Sequence, residues 1–224
     1  MKLYNYFRSS AAFRVRIALA LKALPYEYVA VHLARGEHRL ASYTGISADG
    51  LLPLLEVDGE RLSQSLAIIE YLDDKHPEPA LLPEDALGRA KVRALAQSIA
   101  CEIHPLTNLR VLKYLVKELQ VSEEGRNSWY RHWVREGLES FERQLAALAT
   151  QRRQAGLAPS LYCWGDTPTV ADCCLVPQIF NARRFGTGLD GLPLTMASFD
   201  ACMALSAFQQ AQPSRCPDHE GVSA

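Results

Sequence analysis

Segments that resemble β-strands occur only before residue 65 of this 224-residue chain, and this asymmetry limits the folds open to it. Residues 2–7, 26–31 and 51–57 are rich in aromatic, β-branched or other apolar side chains, and residues 61–64 follow an Asp-Gly turn. Residues 10–24 carry an apolar stripe at helical spacing. A strand–helix–strand unit followed by a hairpin predicts a mixed sheet with helices on its faces, the first two strands being parallel.

After residue 85 the apolar pattern is helical, with stretches at 86–119, 124–149 and 197–210. Pro105 lies inside the first stretch and predicts a kink there. Several prolines between residues 76 and 83 interrupt the pattern, as expected for a linker. The sequence therefore predicts an α/β domain over residues 1–82, an all-helical domain over 86–212, and a polar, frayed tail over 213–224.

Charge and cysteine content exclude several classes of function. The 24 basic and 25 acidic side chains leave a net charge of −1, which argues against nucleic-acid or anionic-membrane binding. No segment is apolar over the ~20 residues that span a bilayer, and the first residues do not form a signal peptide. The six cysteines form neither a CxxC motif nor a zinc-finger spacing. We expect a reduced, cytoplasmic protein without a metal site.

The first strand ends at Arg8-Ser9-Ser10, where a helix begins. One interpretation is a simple helix cap, in which a serine oxygen accepts a bond from a backbone N–H. The other is an electropositive binding site for an anion such as a thiolate. A serine hydroxyl would donate a hydrogen bond to this anion, and Arg8 would add a full positive charge. Both interpretations remain open at this point.

Two further positions precede or interrupt regular structure in the same domain. Leu52-Pro53 is either the start of an edge strand or a cis peptide that exposes the Leu52 backbone to an extended ligand. Gln64-Ser65 stands between a strand and a helix, which fits a helix cap or an anion site.

The helical half contains three groups of polar residues. His104 and Asn108 are four residues apart and share a helix face near Arg110, which fits a solvated face or a site. Residues 183–184 are two arginines placed just after a helix predicted over 170–182, where they complement its dipole. Thr169 and Asp172 have the spacing of a capping box, which we interpret as structural.

Together these motifs resemble the glutathione transferase family, and within it the zeta class. The matching stretches follow the family's order from near residue 3 to about residue 210: 6–10, 14–19, 52–53, 64–72, 103–106 and 165–172. The resemblance implies a thioredoxin-like N-terminal domain followed by a helical-bundle C-terminal domain, a homodimer, and glutathione as the cofactor.

The resemblance also implies roles for particular residues. Ser9, or Ser10, would hold the glutathione thiolate, while the backbone of Leu52, beside a cis Pro53, would pair with the cysteinyl unit. Gln64 and Ser65 would hold the γ-glutamyl carboxylate. Further glutathione-contacting positions would be His38, His104 and Asn108. The pocket for a small dianionic substrate would be lined by Arg8, Asn108, Arg110 and Arg184.

Two positions depart from the zeta-class pattern. Many members have cysteine after the serine pair, whereas this chain has Ala11, so no protein thiol lies at the helix start and added glutathione is left as the nucleophile. The loop before Pro53 has the sequence Ser-Ala-Asp-Gly-Leu over residues 47–51, whereas family members usually have a loop that contains Asn-Pro. The resemblance therefore does not indicate how the glycyl end of glutathione would be held.

The activity that the resemblance implies is glutathione-dependent cis–trans isomerisation of a double bond conjugated to a carbonyl. The main substrate expected is maleylacetoacetate, converted to fumarylacetoacetate in aromatic amino-acid breakdown. Alternatives are isomerisation of maleylpyruvate in gentisate breakdown, conjugation or dehalogenation of small halo-acids, and a non-enzymatic binding module. The presence of Ser9, Gln64, Ser65 and the arginines argues against the last alternative.

Overall fold

The computed structural model describes residues 1–220, and its α/β part is built on a four-stranded sheet. The strands are β1 (Lys2–Asn5), β2 (Glu27–Ala30), β3 (Leu54–Val57) and β4 (Glu60–Ser63), arranged in the order β2-β1-β3-β4. β1 pairs with β2 in parallel, whereas β3 is antiparallel to both β1 and β4. The predicted mixed sheet is confirmed.

The hairpin between β3 and β4 turns on Asp58 and Gly59, whose φ angles are +52° and +82°. A two-residue turn with positive φ at both positions matches the right-handed twist of its strands, and Asp-Gly tolerates it because glycine has no Cβ. Val57 consequently pairs with Glu60, and this pairing sets the register of the hairpin.

Helices make up the rest of the regular structure. In the described residues, α1 to α10 span, in order, Ser10–Leu21, Ala41–Thr44, Ser65–Lys75, Ala86–Gln97, His104–Thr107, Leu109–Lys117, Glu123–Gln154, Val170–Arg184, Pro193–Met203 and Ser206–Ala211. Short 3₁₀ turns occur at Glu37–Arg39 and Pro213–Arg215, and a π-helical segment occupies Ser98–Ile103. No helix within residues 1–220 is long and apolar enough to cross a membrane.

The chain forms two compact units whose boundaries differ from the predicted domains. The first unit combines Met1–Leu81 with the chain from Met203 onward, and the second unit is Leu82–Cys202. The helix predicted over 197–210 is in fact two helices, α9 and α10, and α10 belongs to the first unit. A helical domain reaching to residue 212 is therefore not what the structure forms.

The predicted frayed tail is also wrong for residues 213–220. Cys216 is only 8% exposed and forms an apolar cluster with Tyr6 and Phe7, at the end of the first strand. Arg16 on α1 donates from Nε to the carbonyl of Ala211 at 3.0 Å, which fastens α10 to the same unit. Burial of Cys216 therefore orders this segment, the Arg16 bond holds the helix just before it, and residues 221–224 lie outside the described residues.

A buried ion pair orders the segment that was predicted to be a linker. α1 ends at Leu21, before Pro25, and the next residue, Lys22, pairs through its ammonium with Asp73 at 2.8 Å. The same ammonium donates to the carbonyls of His76 and Pro79 at 2.6 and 2.7 Å. Because its charge is paired and its donors are satisfied, Lys22 is stable in the interior and ties residues 76–79 to the first unit.

In the second unit, the helix predicted over 86–119 is broken into α4, the π-helical segment, α5 and α6. The chain leaves helical geometry at Asn108, where φ is −66° and ψ is 146°, and not at Pro105. Pro105 lies in the first turn of α5, where its missing N–H is tolerated. Gly137 on α7 allows close approach here, since a Cβ at that position would lie 2.2 Å from Cγ1 of Ile103.

The predicted capping box at the start of α8 is confirmed. One oxygen of Asp172 accepts from the backbone N–H and the hydroxyl of Thr169, at 2.8 and 2.9 Å. The other accepts from the backbone N–H of Cys163 at 2.9 Å. Asp172 is fully buried, and this burial raises the pKa of its carboxyl above the ordinary value, although the hydrogen bonds oppose the shift. The motif therefore joins a loop to the start of α8.

Candidate active site

Ser9 is the N-cap of α1, so its interpretation as a helix cap is correct. Its Oγ accepts a hydrogen bond from the backbone N–H of Ala12 at 3.2 Å. Ser9 is half-buried, whereas Ser10, the first residue of the helix, is 9% exposed. The cap does not exclude the second interpretation, because a hydroxyl that accepts one bond can still donate its own proton to an anion at the positive end of the helix.

Arg8 places a positive charge beside this turn. Its side chain is exposed, and its guanidinium carbon lies 5.0 Å from the ring centroid of Phe7. A cation over an aromatic face is attracted by the ring's quadrupole without losing its hydration. Arg8 is thus held near the start of α1 but remains able to meet a ligand from solvent.

The peptide groups before Arg8 are fixed by Arg16, which the sequence did not mark as a site residue. Its Nη1 donates to the side chain of Asn5 at 3.0 Å and to the carbonyl of Tyr6 at 3.4 Å, and its Nη2 donates to the carbonyl of Phe7 at 3.1 Å. The backbone N–H of Phe7, in turn, donates to the carboxylate of Asp218 at 3.1 Å. The turn that presents Ser9 is therefore held at several backbone atoms.

The second candidate anion site is the start of α3. Gln64 is exposed and has φ +67° and ψ 114°, a conformation that costs energy for a residue with a Cβ. Ser65 follows as the first, buried residue of the helix, and its Oγ accepts from Nη1 of Arg14 at 3.2 Å. The site thus combines a helix N-terminus, a hydroxyl and a cation.

The Leu52-Pro53 peptide is cis, which was one of the two interpretations of its sequence. Leu52 is half-buried, and the carbonyl of Leu51 before it accepts from the hydroxyl of Tyr43 at 2.6 Å. Burial raises the pKa of Tyr43 to about 12, so this phenol stays protonated as a donor. The predicted pairing of the Leu52 backbone with a ligand stays a prediction.

The unusual loop before Pro53 is ordered by its own side chains. The carboxylate of Asp49 accepts from the hydroxyl of Ser47 and from the backbone N–H of Leu51, both at 3.0 Å. His38 lies in the 3₁₀ turn Glu37–Arg39 that precedes this loop. Its predicted contact with glutathione is not tested by these interactions.

In the second unit, His104 and Asn108 do not share one helix, because α5 ends at Thr107, but their side chains are in contact. Nδ2 of Asn108 lies 3.3 Å from Nε2 of His104, and Oδ1 of Asn108 accepts from the backbone N–H of Arg110 at 3.0 Å. Asn108 is therefore the N-cap of α6. Arg110 itself is exposed and available to bind an anion.

Arg184 lies inside the last turn of α8, so the prediction that residues 183–184 follow the helix is wrong by two residues. Phe185 is the C-cap of the helix, and its ring stacks on that of Tyr130 with ring centroids 3.7 Å apart. Burial raises the pKa of Tyr130 to about 12, and the charge of Arg184 opposes this shift. Arg184 is exposed, with its guanidinium 4.8 Å from the Phe185 ring.

The predicted site residues thus fall into two groups, each described within its own unit. The first unit contains the start of α3, the cis peptide, His38, and the turn with Arg8, Ser9 and Ser10. Within this unit, a hydrogen bond from Arg14 connects α1 to Ser65. The second unit carries His104, Asn108, Arg110 and Arg184. The sequence did not reveal Arg14, Arg16 or Asp218, although two arginines within an otherwise apolar helix were a usable signal.

A thioredoxin-like domain with a mixed four-stranded sheet, together with an all-helical unit, is the architecture of the glutathione transferase fold. Two family models match the chain: the N-terminal domain of glutathione S-transferase over residues 1–74 and its C-terminal domain over residues 131–206. The chain belongs to the glutathione S-transferase family.

Two curated relatives illustrate the match over almost the whole chain. A maleylpyruvate isomerase of a Ralstonia species is 45% identical over 97% of this chain and 99% of its own length. A maleylacetoacetate isomerase of Pseudomonas aeruginosa is 44% identical over 97% of this chain and 98% of its own length.

Solved structures give the same result. The chain is similar to the holo structure of a maleylpyruvate isomerase described as a bacterial zeta-class glutathione transferase, with a TM-score of 0.92, 44% identity, and coverage of 98% and 100% of the two chains. It is also similar to a maleylacetoacetate isomerase of Anaeromyxobacter dehalogenans with dicarboxyethyl glutathione and citrate in its active site, with a TM-score of 0.83, 41% identity, and coverage of 98% and 97%.

The residues of the first unit fit glutathione by charge and donor type. The tripeptide carries a thiol and carboxylates, and the two helix starts offer N–H groups, hydroxyls and positive charge to such anions. Arg14 is the clearest sign of fit, because it is 3% exposed and its Nε has no hydrogen-bond partner in the described residues. A buried cation of this kind favours an anion nearby.

Proposed function

We propose that this protein isomerises maleylacetoacetate to fumarylacetoacetate with glutathione as its cofactor, a step in aromatic amino-acid breakdown. The observation that carries the proposal is Ser9 at the N-terminus of α1 in a chain that matches isomerases of maleyl keto-acids over 97% of its length. We further propose that the protein acts as a homodimer in the cytoplasm.

Glutathione supplies a thiolate that adds to the cis double bond, allows rotation about the resulting single bond, and leaves to restore a trans alkene. The chain's own role at this point is to keep the sulfur ionised. The Ser9 hydroxyl donates to it, and the α1 dipole favours its negative charge. No cysteine lies in the first turn of α1, and burial raises the pKa of the Cys216 thiol that packs near Phe7, so neither supplies a thiolate here.

The arginines serve the charges of the substrate in this proposal. Arg8 stabilises the negative charge that develops on the carbonyl oxygen conjugated to the double bond. Arg110 and Arg184 bind the substrate's carboxylates, which suit the fork of a guanidinium. A small diacid is a better match for such residues than an apolar compound. Gln64, Ser65 and the Leu52 backbone hold and orient the tripeptide.

Maleylpyruvate is the second candidate substrate, supported by the Ralstonia relative and by the similarity to the holo maleylpyruvate isomerase structure. It presents the same maleyl group with a shorter keto-acid. Conjugation or dehalogenation of halo-acids would use the same thiolate.

The test is a direct comparison of turnover on maleylacetone, maleylacetoacetate and maleylpyruvate, each with and without glutathione. We expect turnover only with glutathione, with the highest kcat/KM on maleylacetoacetate. A higher kcat/KM on maleylpyruvate would transfer the assignment to that substrate. Glutathione binding without turnover of any of the three would support the non-enzymatic alternative.

A further inference from the structure

Arg14 differs from the other buried cations of the first unit because one of its buried nitrogens has no hydrogen-bond partner within the described residues. It is 3% exposed, its Nη1 donates to Oγ of Ser65, and its Nε is buried without an acceptor. No carboxylate within residues 1–220 pairs with it. By contrast, buried Lys22 forms an ion pair with Asp73 and donates to two carbonyls. All three nitrogens of Arg16 donate hydrogen bonds, which reach four oxygens in total.

An unpaired buried charge is costly, since it loses its hydration without gaining a compensating anion. Arginine cannot escape this cost by releasing its proton, because the guanidinium stays protonated in proteins. A position that retains such a cation is therefore best explained by a negative charge that the bound state supplies. The Arg14 contact with Ser65 indicates where that charge binds.

The hydrogen bond between Arg14 and Ser65 also fixes the direction of the serine hydroxyl. Ser65 Oγ accepts from Arg14, so its own proton points away from the guanidinium and is free to donate. A hydroxyl that accepts from a cation becomes a stronger donor, because the two bonds polarise each other. Ser65 is also the first residue of α3, an eleven-residue helix whose leading N–H groups have no acceptor within the helix and favour an anion.

We infer that Arg14 is a positioning residue for the glutathione carboxylate at Ser65. It orients and polarises the Ser65 hydroxyl and supplies the positive charge that makes this position selective for a carboxylate. The inference rests on glutathione being the cofactor of the proposed function. It adds a residue of α1 to the carboxylate site, although that site is formed at the start of α3.

The test measures binding by calorimetry and uses two ligands: glutathione, and the analogue in which 4-aminobutyryl replaces γ-glutamyl and so removes the α-carboxylate. We expect Arg14→Gln to weaken glutathione binding by about 10- to 100-fold, the loss typical of a charge-assisted bond. Arg14→Lys should recover part of the affinity. The analogue should bind weakly and equally to the wild type and both variants. Arg61→Gln, which removes an exposed arginine of β4, should bind both ligands as the wild type does.

Equal loss of affinity for both ligands in Arg14→Gln, or no loss for either, would overturn the inference. Ser65→Ala provides a second route if Arg14→Gln does not fold: it should lose glutathione selectively, and wild-type affinity in this variant would equally overturn the inference. A wild-type protein that binds no glutathione would instead contradict the proposed function, so the two failures are distinguishable.

Discussion

The carboxylate of Asp218 accepts a hydrogen bond from the backbone N–H of Phe7 at 3.1 Å, between residues 211 positions apart in the chain. Its other oxygen accepts from the hydroxyl of Tyr28. Burial, followed by this bond, raises the pKa of Tyr28 above its ordinary value, so the phenol stays protonated as a donor. Phe7 is two residues before Ser9, so the C-terminal segment holds the turn that begins α1.

Asp218→Ala should therefore affect both stability and cofactor binding. Two donors lose their acceptor, which costs about 1–3 kcal/mol, and the Ser9 turn becomes less ordered. Urea unfolding and glutathione titration measure the two effects. Glu220→Ala, which removes a half-exposed carboxylate from the same segment, should change little. Equal behaviour of the two variants would contradict this role for Asp218.

Ser9→Ala should raise the pKa of the bound glutathione thiol by about 1 unit, because the thiolate loses a charge-assisted hydrogen bond. A smaller fraction of the sulfur is then ionised at neutral pH, and the ultraviolet absorbance of the thiolate in the complex falls. Ser122→Ala is the matched control, since Ser122 caps α7 through the N–H of Gly125 in the same way. An unchanged thiolate absorbance in Ser9→Ala would remove Ser9 from its proposed role.

Arg8→Ala and Arg110→Ala should affect different kinetic constants. Loss of Arg8 removes a charge that acts on the developing oxyanion, so kcat should fall by about 100-fold. Loss of Arg110 removes binding to a carboxylate that is the same in the ground and transition states, so mainly KM should rise. Lys117→Ala, on the same helix as Arg110, should have wild-type kinetics. Wild-type kinetics in both arginine variants would refute the assignment of the arginines.

Gln64→Gly should separate stability from binding. Glycine accepts the φ of +67° without strain, so thermal unfolding should show no loss of stability, whereas the missing amide should weaken glutathione binding. Ser63→Gly, one residue earlier in β4, should instead destabilise the protein by about 0.5–1 kcal/mol. A Gln64→Gly variant that is as destabilised as Ser63→Gly would mean that position 64 is not strained.

Asp172→Ala should lower the stability of the protein but leave the catalysed reaction unchanged. The backbone N–H groups of Thr169 and Cys163 lose their acceptor in the interior, and α8 loses its cap, which together cost about 3 kcal/mol or more. The midpoint of urea unfolding should fall, while kcat per folded molecule stays close to the wild type. A fall in kcat without a fall in stability would show that Asp172 acts in the reaction.

The elements that could be predicted from the sequence are those set by local chemistry. Asp58-Gly59 specifies its turn within two residues, and Thr169 with Asp172 specifies a helix start within four. The Ser9 cap is equally local. Each of these features depends on hydrogen bonds between residues close in sequence, so a few consecutive residues are enough to predict it.

The features that escaped prediction depend on contacts between distant residues. The order of residues 213–220 depends on Phe7 and Tyr28, and the role of Arg14 depends on Ser65, 51 residues away. The break at Asn108 was placed at Pro105 because proline is the visible helix breaker, whereas the π-helical segment before it has no comparable local signal. Spacing along the chain does not encode such partners.

The return of the chain to its first unit after Cys202 has a consequence for synthesis on the ribosome. A nascent chain that has emerged only to Leu81 has its four strands but not α10, whose Ala211 carbonyl accepts from Arg16, nor Asp218, which holds Phe7. Leu82–Cys202 is complete before those partners have been translated. The unit that contains Ser9 and Ser65 is therefore begun first and finished last.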